Sequence, residues 1–334
     1  MNLSDVVALV MFVGVVAYAL FGGADFGAGF WDLTAGGAER GKNARHLVDL
    51  SIGPVWEANH TWLIYCLVML WSGFPAAFAA ITTTLYLPLM FAALGIVLRG
   101  AGFAFRKVSA RTPQQRLNGT LFAASSVLTP YCFGSIAGGI ASGRVPSGGN
   151  GDAVTSWLNP TSVLGGILAV VSCAYLAAFY LATAAQRLHD ADLERYFRGR
   201  ALLAGAVAGV VSIAGIFVLR TDAPRLFHQL SHRGLPLMVL AALCGIVGMA
   251  GAHLGRRTGR REIAALAIAA VVVGWGVAQY PFLLGTHLRI HEAAAPDTTL
   301  AVLLGVACVA ALIILPSLIL LFRLSGQGRL RAHT

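Results

Sequence analysis

The sequence predicts an all-α integral membrane protein with about nine spans, and three observations lead there. Of 334 residues, 57% are hydrophobic and 11% charged, against roughly 45–50% and 25% in soluble domains. Mean hydropathy is +0.75. Apolar runs recur along the whole chain, each near the roughly 20 residues that cross a bilayer. The lysines and arginines collect in alternate loops. Together these features exclude an ordinary cytoplasmic globule, a disordered chain and a secreted disulfide scaffold.

The nine helices are expected near 4–22, 55–73, 76–98, 117–141, 161–186, 201–220, 235–254, 263–283 and 299–322, within one membrane domain, 1–334. The N-terminus, Met1-Asn2-Leu3-Ser4-Asp5, lacks a basic stretch and runs straight into the first helix, which is unlike a secretory signal. Residues 23–54 form the longest loop, with Gly36-Gly37 and mixed charges, and could hold a short helix along the membrane surface. Pro54 reads as the start of the second helix. Ser72-Gly73-Phe74-Pro75 breaks the second helix from the third. Ser147-Gly148-Gly149-Asn150-Gly151 marks a loop after the fourth. Asn159-Pro160 starts the fifth as a cap followed by proline at the first helical position. Pairs of small residues four apart, such as Gly134/Gly138, Gly139/Gly143, Gly205/Gly209 and Gly251/Gly255, suit close helix packing within the bundle or against a partner.

The net charge is +10, but its distribution reads as topology rather than nucleic-acid binding. Nineteen of the 24 Lys and Arg residues fall on one side of this layout: Arg40, Lys42 and Arg45; Arg99, Arg106, Lys107, Arg111 and Arg116; Arg187, Arg195, Arg198 and Arg200; Arg256, Arg257, Arg260 and Arg261; Arg323, Arg329 and Arg331. Only Arg144, Arg220, Arg225, Arg233 and Arg289 fall on the other. By the positive-inside rule the N-terminus faces outward and the C-terminus the cytoplasm. Dropping a helix would swap every later loop and destroy the bias.

Cys66, Cys132, Cys173, Cys244 and Cys308 each sit alone in a different apolar stretch and read as small buried hydrophobes. Charge inside a bilayer is costly, so each intramembrane ionisable residue is a functional candidate. Asp25 lies just past the first helix in Gly22-Gly23-Ala24-Asp25-Phe26-Gly27-Ala28-Gly29, where the plain reading is a capping or interfacial carboxylate in water. The glycine string lacks Gly-Lys-Ser/Thr and follows no strand, so it is not a nucleotide loop. Glu57 and His60 stand three apart in Gly53-Pro54-Val55-Trp56-Glu57-Ala58-Asn59-His60-Thr61-Trp62, hence on one helix face. A carboxylate beside an imidazole at a membrane boundary could relay protons, although Glu57 could equally serve the dipole at its helix start. Arg99 ends the third helix, where snorkelling to the inner headgroups is the plain account. His228/His232 and His287/His291 are four apart on the outer side, but no third metal ligand is fixed by spacing.

These residues also carry a resemblance. The sequence GPVWEANHTWLI at 53–64 is similar to the signature of subunit II of the cytochrome bd quinol oxidases. DFGAG at 25–29, RGAGFAFR at 99–106, LNP at 158–160 and YPF at 280–282 follow in the same order. On the resemblance, Trp56, Asn59, Trp62, Arg99 and Arg106 are structural signature residues. One departure stands out. Many members carry two aspartates three apart at the end of the first helix, whereas this chain has Gly22 and Asp25.

The resemblance implies a heterodimer in the bacterial plasma membrane. Subunit I carries the quinol-oxidising loop and three haems, two of b type and one of d type. The complex oxidises quinol and reduces dioxygen to water with protons from the cytoplasm. Subunit II binds no haem, packs beside subunit I in contact with membrane lipid, stabilises it, and is a candidate for supplying a proton path or holding a structural quinone. On this view no residue here is catalytic and no metal is held, and Glu57, Asp25 and His60 are the proton-pathway candidates. The rival readings are a secondary transporter or proton channel without redox chemistry, and an independent haem-binding cytochrome.

The charge map generates a topological prediction. On a background lacking the native cysteines, a single cysteine near Ser147 should be labelled from outside intact cells, and one between 256 and 261 should not. The reverse pattern would overturn the orientation.

Overall fold

A computed structural model describes residues 2–37, 39–52, 56–108, 112–256 and 258–326. Gly53, Pro54, Val55, Arg257, Arg329 and Arg331 lie outside the described residues, as do the side chains of Arg106, Lys107 and Arg116 and all of Arg111. So the expected helix start at Pro54 falls outside them. The described chain folds as α1 (Leu3–Leu33), α2 (Lys42–Ile52), α3 (Trp56–Gly73), α4 (Pro75–Thr84), α5 (Tyr86–Val108), α6 (Thr112–Ala141), α7 (Pro160–Arg187), α8 (Ala191–Asp222), α9 (Pro224–His232), α10 (Leu235–His253), α11 (Arg260–Gln279), a hairpin of β1 (Phe282–Leu284) and β2 (Leu288–Arg289), α12 (Ile290–Ala293) and α13 (Asp297–Gly326). Eight helices are each long and apolar enough to span a membrane, and α3 with α4, bent by 116° at the Phe74 break, brings the number to nine.

Several expected boundaries change. The first helix runs through Leu33 rather than stopping at 22, so Asp25 is not a loop or capping carboxylate. Glycine inside a helix costs about 1 kcal/mol relative to alanine, but here the glycines admit close neighbours. A side chain at Gly27 would strike the Cys173 carbonyl of α7, and one at Gly29 would strike Ser126 of α6. The expected third helix, 76–98, is two helices: the short α4 and then α5, which starts ten residues later and ends at Val108. The run 263–283 stops at Gln279, and Phe282 and Leu283 join the hairpin instead. The spans near 117–141 and 201–220 begin earlier, at Thr112 and Ala191. The early start of α8 is a capped, charged first section: Asp190 accepts from the backbone N–H groups of Asp192 (3.1 Å) and Leu193 (2.9 Å). The Asn159 cap is present as expected, accepting from Ser162 N at 2.9 Å with Pro160 next. The stretch 23–54 does hold a short helix, α2, whose Ala44, Leu47 and Val48 are buried. All five cysteines are unpaired, but of the set expected to be buried only Cys132 is, while Cys66, Cys173 and Cys244 are half-buried and Cys308 is exposed.

The bundle is built on α1, which packs against α3, α6 and α7, while α5 pairs with α6, α7 with α8, and α10 with α11. Two apolar cores result. One lies toward the C-terminal end of α1 and contains Trp31, Leu47, Phe103, Phe122, Phe179 and Phe197. The other lies toward its N-terminal end and contains Val7, Met69, Phe74, Leu85, Leu284 and Leu300. Two further bonds tie α1 to its neighbours. Trp31 Nε1 donates to the Ala174 carbonyl of α7 (2.8 Å), and the Tyr65 hydroxyl of α3 donates to the Val10 carbonyl (3.0 Å).

Of the small-residue pairs, Gly134 and Gly138 serve the bundle itself: added side chains would meet the backbone of Gly165 and of Thr161 and Ser162 on α7. Gly209 opens onto free space. Gly134→Ala should therefore destabilise the protein by about 1–3 kcal/mol, as overpacking does, while Gly209→Ala stays near neutral. Thermal unfolding of the detergent-solubilised protein checks the contrast.

Candidate functional site: a buried charged cluster

Asp25 and Arg99 form an ion pair in the interior of the bundle. Arg99 is 0% and Asp25 4% exposed. Arg99 Nη2 lies 2.9 Å from Asp25 Oδ1 and donates to the Asp25 main-chain carbonyl at 3.1 Å. Nη1 donates to the Ser126 hydroxyl of α6, which in turn donates to the Phe122 carbonyl at 2.6 Å. The guanidinium sits between the rings of Phe26 (4.8 Å) and Phe122 (4.7 Å), a geometry in which the ring quadrupole attracts a cation. Burying each ion costs several kcal/mol, which only good pairing and hydrogen bonding can offset. Arg99 is thus not a snorkelling residue. It reaches inward from α5 and joins α1 to α6.

The spacing along α1 explains why the charge fits. Tyr18, Gly22, Asp25 and Gly29 recur at helical intervals and share one face. Gly29 leaves room for Ser126 and Arg99, and a side chain at Gly22 would strike the Tyr18 ring. The Tyr18 hydroxyl makes a 3.4 Å hydrogen bond with His60 Nδ1 on α3. Asn59 of α3 is buried and lies against the Asp25 carboxyl.

The structure brings Asp25, Asn59, His60 and Arg99 together and leaves Glu57 outside. Glu57 and His60 stand three positions apart, yet Glu57 is exposed while His60 is half-buried. Glu57 shares the outward stripe of α3 with the exposed Ile64, Val68 and Trp71. Trp56 packs on Phe103 (ring centroids 5.6 Å) beside Gly100. Trp62 stacks on Phe21 at 6.3 Å. Tyr18, Phe122 and Ser126 escaped the sequence reading; the spacing of Tyr18 from Asp25 was the available signal, and Ser126 carried none.

Further ion pairs also escaped it. Arg45 Nε lies 3.2 Å from Asp32 Oδ1, seven residues along α1 from Asp25, and Arg45 also donates to the carbonyls of Gly36 and Gly37. Arg260 Nη2 of α11 donates to Glu194 of α8 (3.1 Å) and Gln186 of α7 (3.0 Å). At the opposite end of the bundle, Arg144 grips Asp222 with two bonds, 2.6 and 3.1 Å, and Thr161 donates to the same carboxylate from its hydroxyl (2.6 Å) and backbone N–H.

His60 is the one histidine among the described residues that the structure brings to this cluster. The rings of Tyr18, Phe26 and Trp56 lie around part of the His60 imidazole, with ring centroids 6.1–6.4 Å away, and its Nδ1 meets the Tyr18 hydroxyl. Among the described residues, no group of three or more His, Cys, Asp or Glu could hold a metal ion. His228 and His232 stack on α9 at 4.1 Å, whereas His287 lies in the hairpin and His291 on α12, so the second pair does not share a helix.

A family model described as cytochrome bd terminal oxidase subunit II matches residues 3–325. Among curated proteins, the chain is 23% identical over 315 residues to the putative cytochrome bd menaquinol oxidase subunit II of Bacillus subtilis, covering 90% of this chain and 89% of that one. It is 23% identical over 350 residues to the cytochrome bd-I ubiquinol oxidase subunit 2 of Escherichia coli, covering 91% and 90%. A solved structure of the bd oxidase from Geobacillus thermodenitrificans contains a chain of the same fold, with a TM-score of 0.82 at 23% identity, over 97% of this chain and 98% of that one.

The bonding around Arg99 sets a prediction for α6. Ser126→Ala removes the acceptor of a buried guanidinium N–H and should cost about 1–3 kcal/mol. Ser126→Thr, which keeps a hydroxyl, should cost less. Thermal unfolding of the two variants decides it, and equal losses would mean that packing alone matters there.

Proposed function

The chain belongs to the cytochrome bd terminal oxidase subunit II family, and from that premise we propose that it is the haem-free partner of an electron-carrying subunit and lends that complex a route for protons. The complex is a bd-type quinol oxidase, and the chain is a multi-pass membrane protein. A transporter without redox chemistry finds no support in this membership. We place the haems on the partner, because the cluster offers a single imidazole, His60, whose Nδ1 is hydrogen-bonded to the Tyr18 hydroxyl. The charge bias supports an orientation with the N-terminus outside and the C-terminal ends of α1 and α5 and the N-terminal ends of α3 and α6 at the cytoplasmic face, beside the basic segments 40–45 and 106–116.

The observation that carries the proton reading is the buried Asp25–Arg99 pair with Asn59 and His60 beside it. Reducing dioxygen to water consumes a proton with every electron, and these protons must reach a buried haem. Ionisable groups kept inside a membrane at several kcal/mol each are most economically explained by transfer or by architecture. In the proposed route Glu57, exposed at the start of α3, collects protons at the cytoplasmic side. His60 and Asp25 stand deeper, on the inner side of the same helix pair. With Gly22 in place of a second acid, Glu57 is the group that can meet water directly. The stabilising role is the parallel proposal: a rigid α1–α5–α6 unit offers the partner a fixed surface.

Glu57→Gln separates the two, since it keeps the shape of the side chain and cannot ionise. The relay predicts oxygen consumption slowed by roughly tenfold or more with haem content intact. Unchanged turnover in a fully assembled variant would reject the relay, and loss of the whole complex would assign Glu57 to assembly.

A further inference from the structure

We propose that the cleft between the start of α8 and the α10–α11 turn is a binding site for the phosphodiester headgroup of an anionic membrane lipid. A cavity of about 160 Å3 opens there, lined by Ala191, Glu194, Arg195, Arg198 and Gly255. The half-buried guanidinium of Arg198 lies against Gly255 and, among the described residues, makes no hydrogen bond or ion pair. Arg195 is exposed and bound only loosely to Asp192, at 3.5 Å. Behind the cleft, Glu194 is held by Arg260, which is 3% exposed and keeps Nε and Nη1 without hydrogen-bond partners. The one carboxylate in the wall is thereby neutralised from behind, and the cations in front remain uncommitted. Two guanidinium forks over a cleft suit a phosphate oxygen set, which they can bind through paired, charge-assisted hydrogen bonds.

The position favours a lipid over a free anion. The charged first section of α8 gives way to an uninterrupted apolar run at Ala201, one turn beyond Arg198, so the cleft sits where headgroups meet hydrocarbon. The stripe of α8 that continues from Arg198 at helical intervals is Leu202, Ala206, Gly209 and Ile213, exposed from Ala206 onward. Gly209 of α8 and Gly245 of α10 both open onto free space, and Leu254, at the lip of the cleft, is 69% exposed. An acyl chain has an apolar, small-residue surface to lie on directly below the phosphate. The proposal rests on the reading of this chain as a membrane subunit with α8 crossing the bilayer. It does not depend on proton transfer.

The test counts lipid rather than turnover, so its failure is separable from failure of the oxidase reading. The purified complex, stripped of lipid in detergent, is titrated with phosphatidylglycerol, phosphatidylcholine or inorganic phosphate, and bound molecules are counted by native mass spectrometry. Phosphatidylglycerol should be retained in preference to phosphatidylcholine, and Arg198→Gln should weaken that retention about tenfold, the loss of one charge-assisted contact. Arg198→Lys should restore part of it. Equal retention by the original chain and Arg198→Gln would overturn the site. Displacement of the lipid by inorganic phosphate at matched concentration would overturn the lipid assignment in favour of a free anion. If Arg198→Gln disrupts the complex, Arg195→Gln is measured in its place, and unchanged retention there would also count against the proposal.

Discussion

A charged pair shut inside a membrane bundle constrains everything around it. Asp25 and Arg99 are both essentially without solvent, and an unpaired member of such a pair is among the most costly groups a fold can hold. The neighbouring elements are arranged accordingly. Helix α1 must stay helical past the point where its glycines would otherwise let it end, because Asp25 is presented from that extension. Helix α5 must carry Arg99 in to meet it, and α6 must supply Ser126 and Phe122 to satisfy and cover the guanidinium. The Phe26 ring, one residue from Asp25, closes the other side.

Small residues make that arrangement possible. Gly27 and Gly29 let α1 approach α7 and α6 more closely than a methyl group allows, and Gly102 does the same between α5 and α6, against the Asn118 carbonyl and Phe122. Without water-driven burial between helices in a bilayer, such close contact and interhelical hydrogen bonds are the available sources of association. The motifs DFGAG and RGAGFAFR therefore have one physical explanation: each carries a charged residue together with the small residues that allow it to be packed. In the same way LNP is a helix start, with Asn159 capping α7. YPF leads from α11 into the hairpin, where the Phe282 ring meets the guanidinium groups of Arg225 (4.2 Å) and Arg289 (5.5 Å).

Much of this was legible in the residues. Apolar run lengths located nearly every span, and the Asn159-Pro160 start is where the cap and proline pattern placed it. What escaped has identifiable causes. The apolar run points to an end of α1 near residue 22, but the helix continues through the glycine string, where contact of Gly27 with Cys173 and of Gly29 with Ser126 outweighs the local cost of glycine. Hydropathy averaged the stretch 76–98 into one helix and missed the break at Leu85, because Thr82, Thr83 and Thr84 are uncharged, and the hydroxyls of Thr82 and Thr83 are absorbed by carbonyls of their own helix. Spacing put Glu57 and His60 on one face, although adjacent positions on a helix that is half covered can look out and in. The partner of Asp25 lay 74 residues away on α5, and no local pattern connects two such positions. Arg99 read as a snorkelling terminal cation for that reason.

The measurement that bears most directly on the central pair is a double-mutant cycle on the solubilised protein. Asp25→Asn and Arg99→Met, made singly, each leave a buried polar or charged group without its partner and should each cost about 3–5 kcal/mol of unfolding free energy. Made together they remove both charges, and the combined loss should fall well below the sum of the two, with a coupling of at least about 2 kcal/mol. Strictly additive losses would show that Asp25 and Arg99 act independently, and would contradict the account of α1, α5 and α6 as a unit held by that pair.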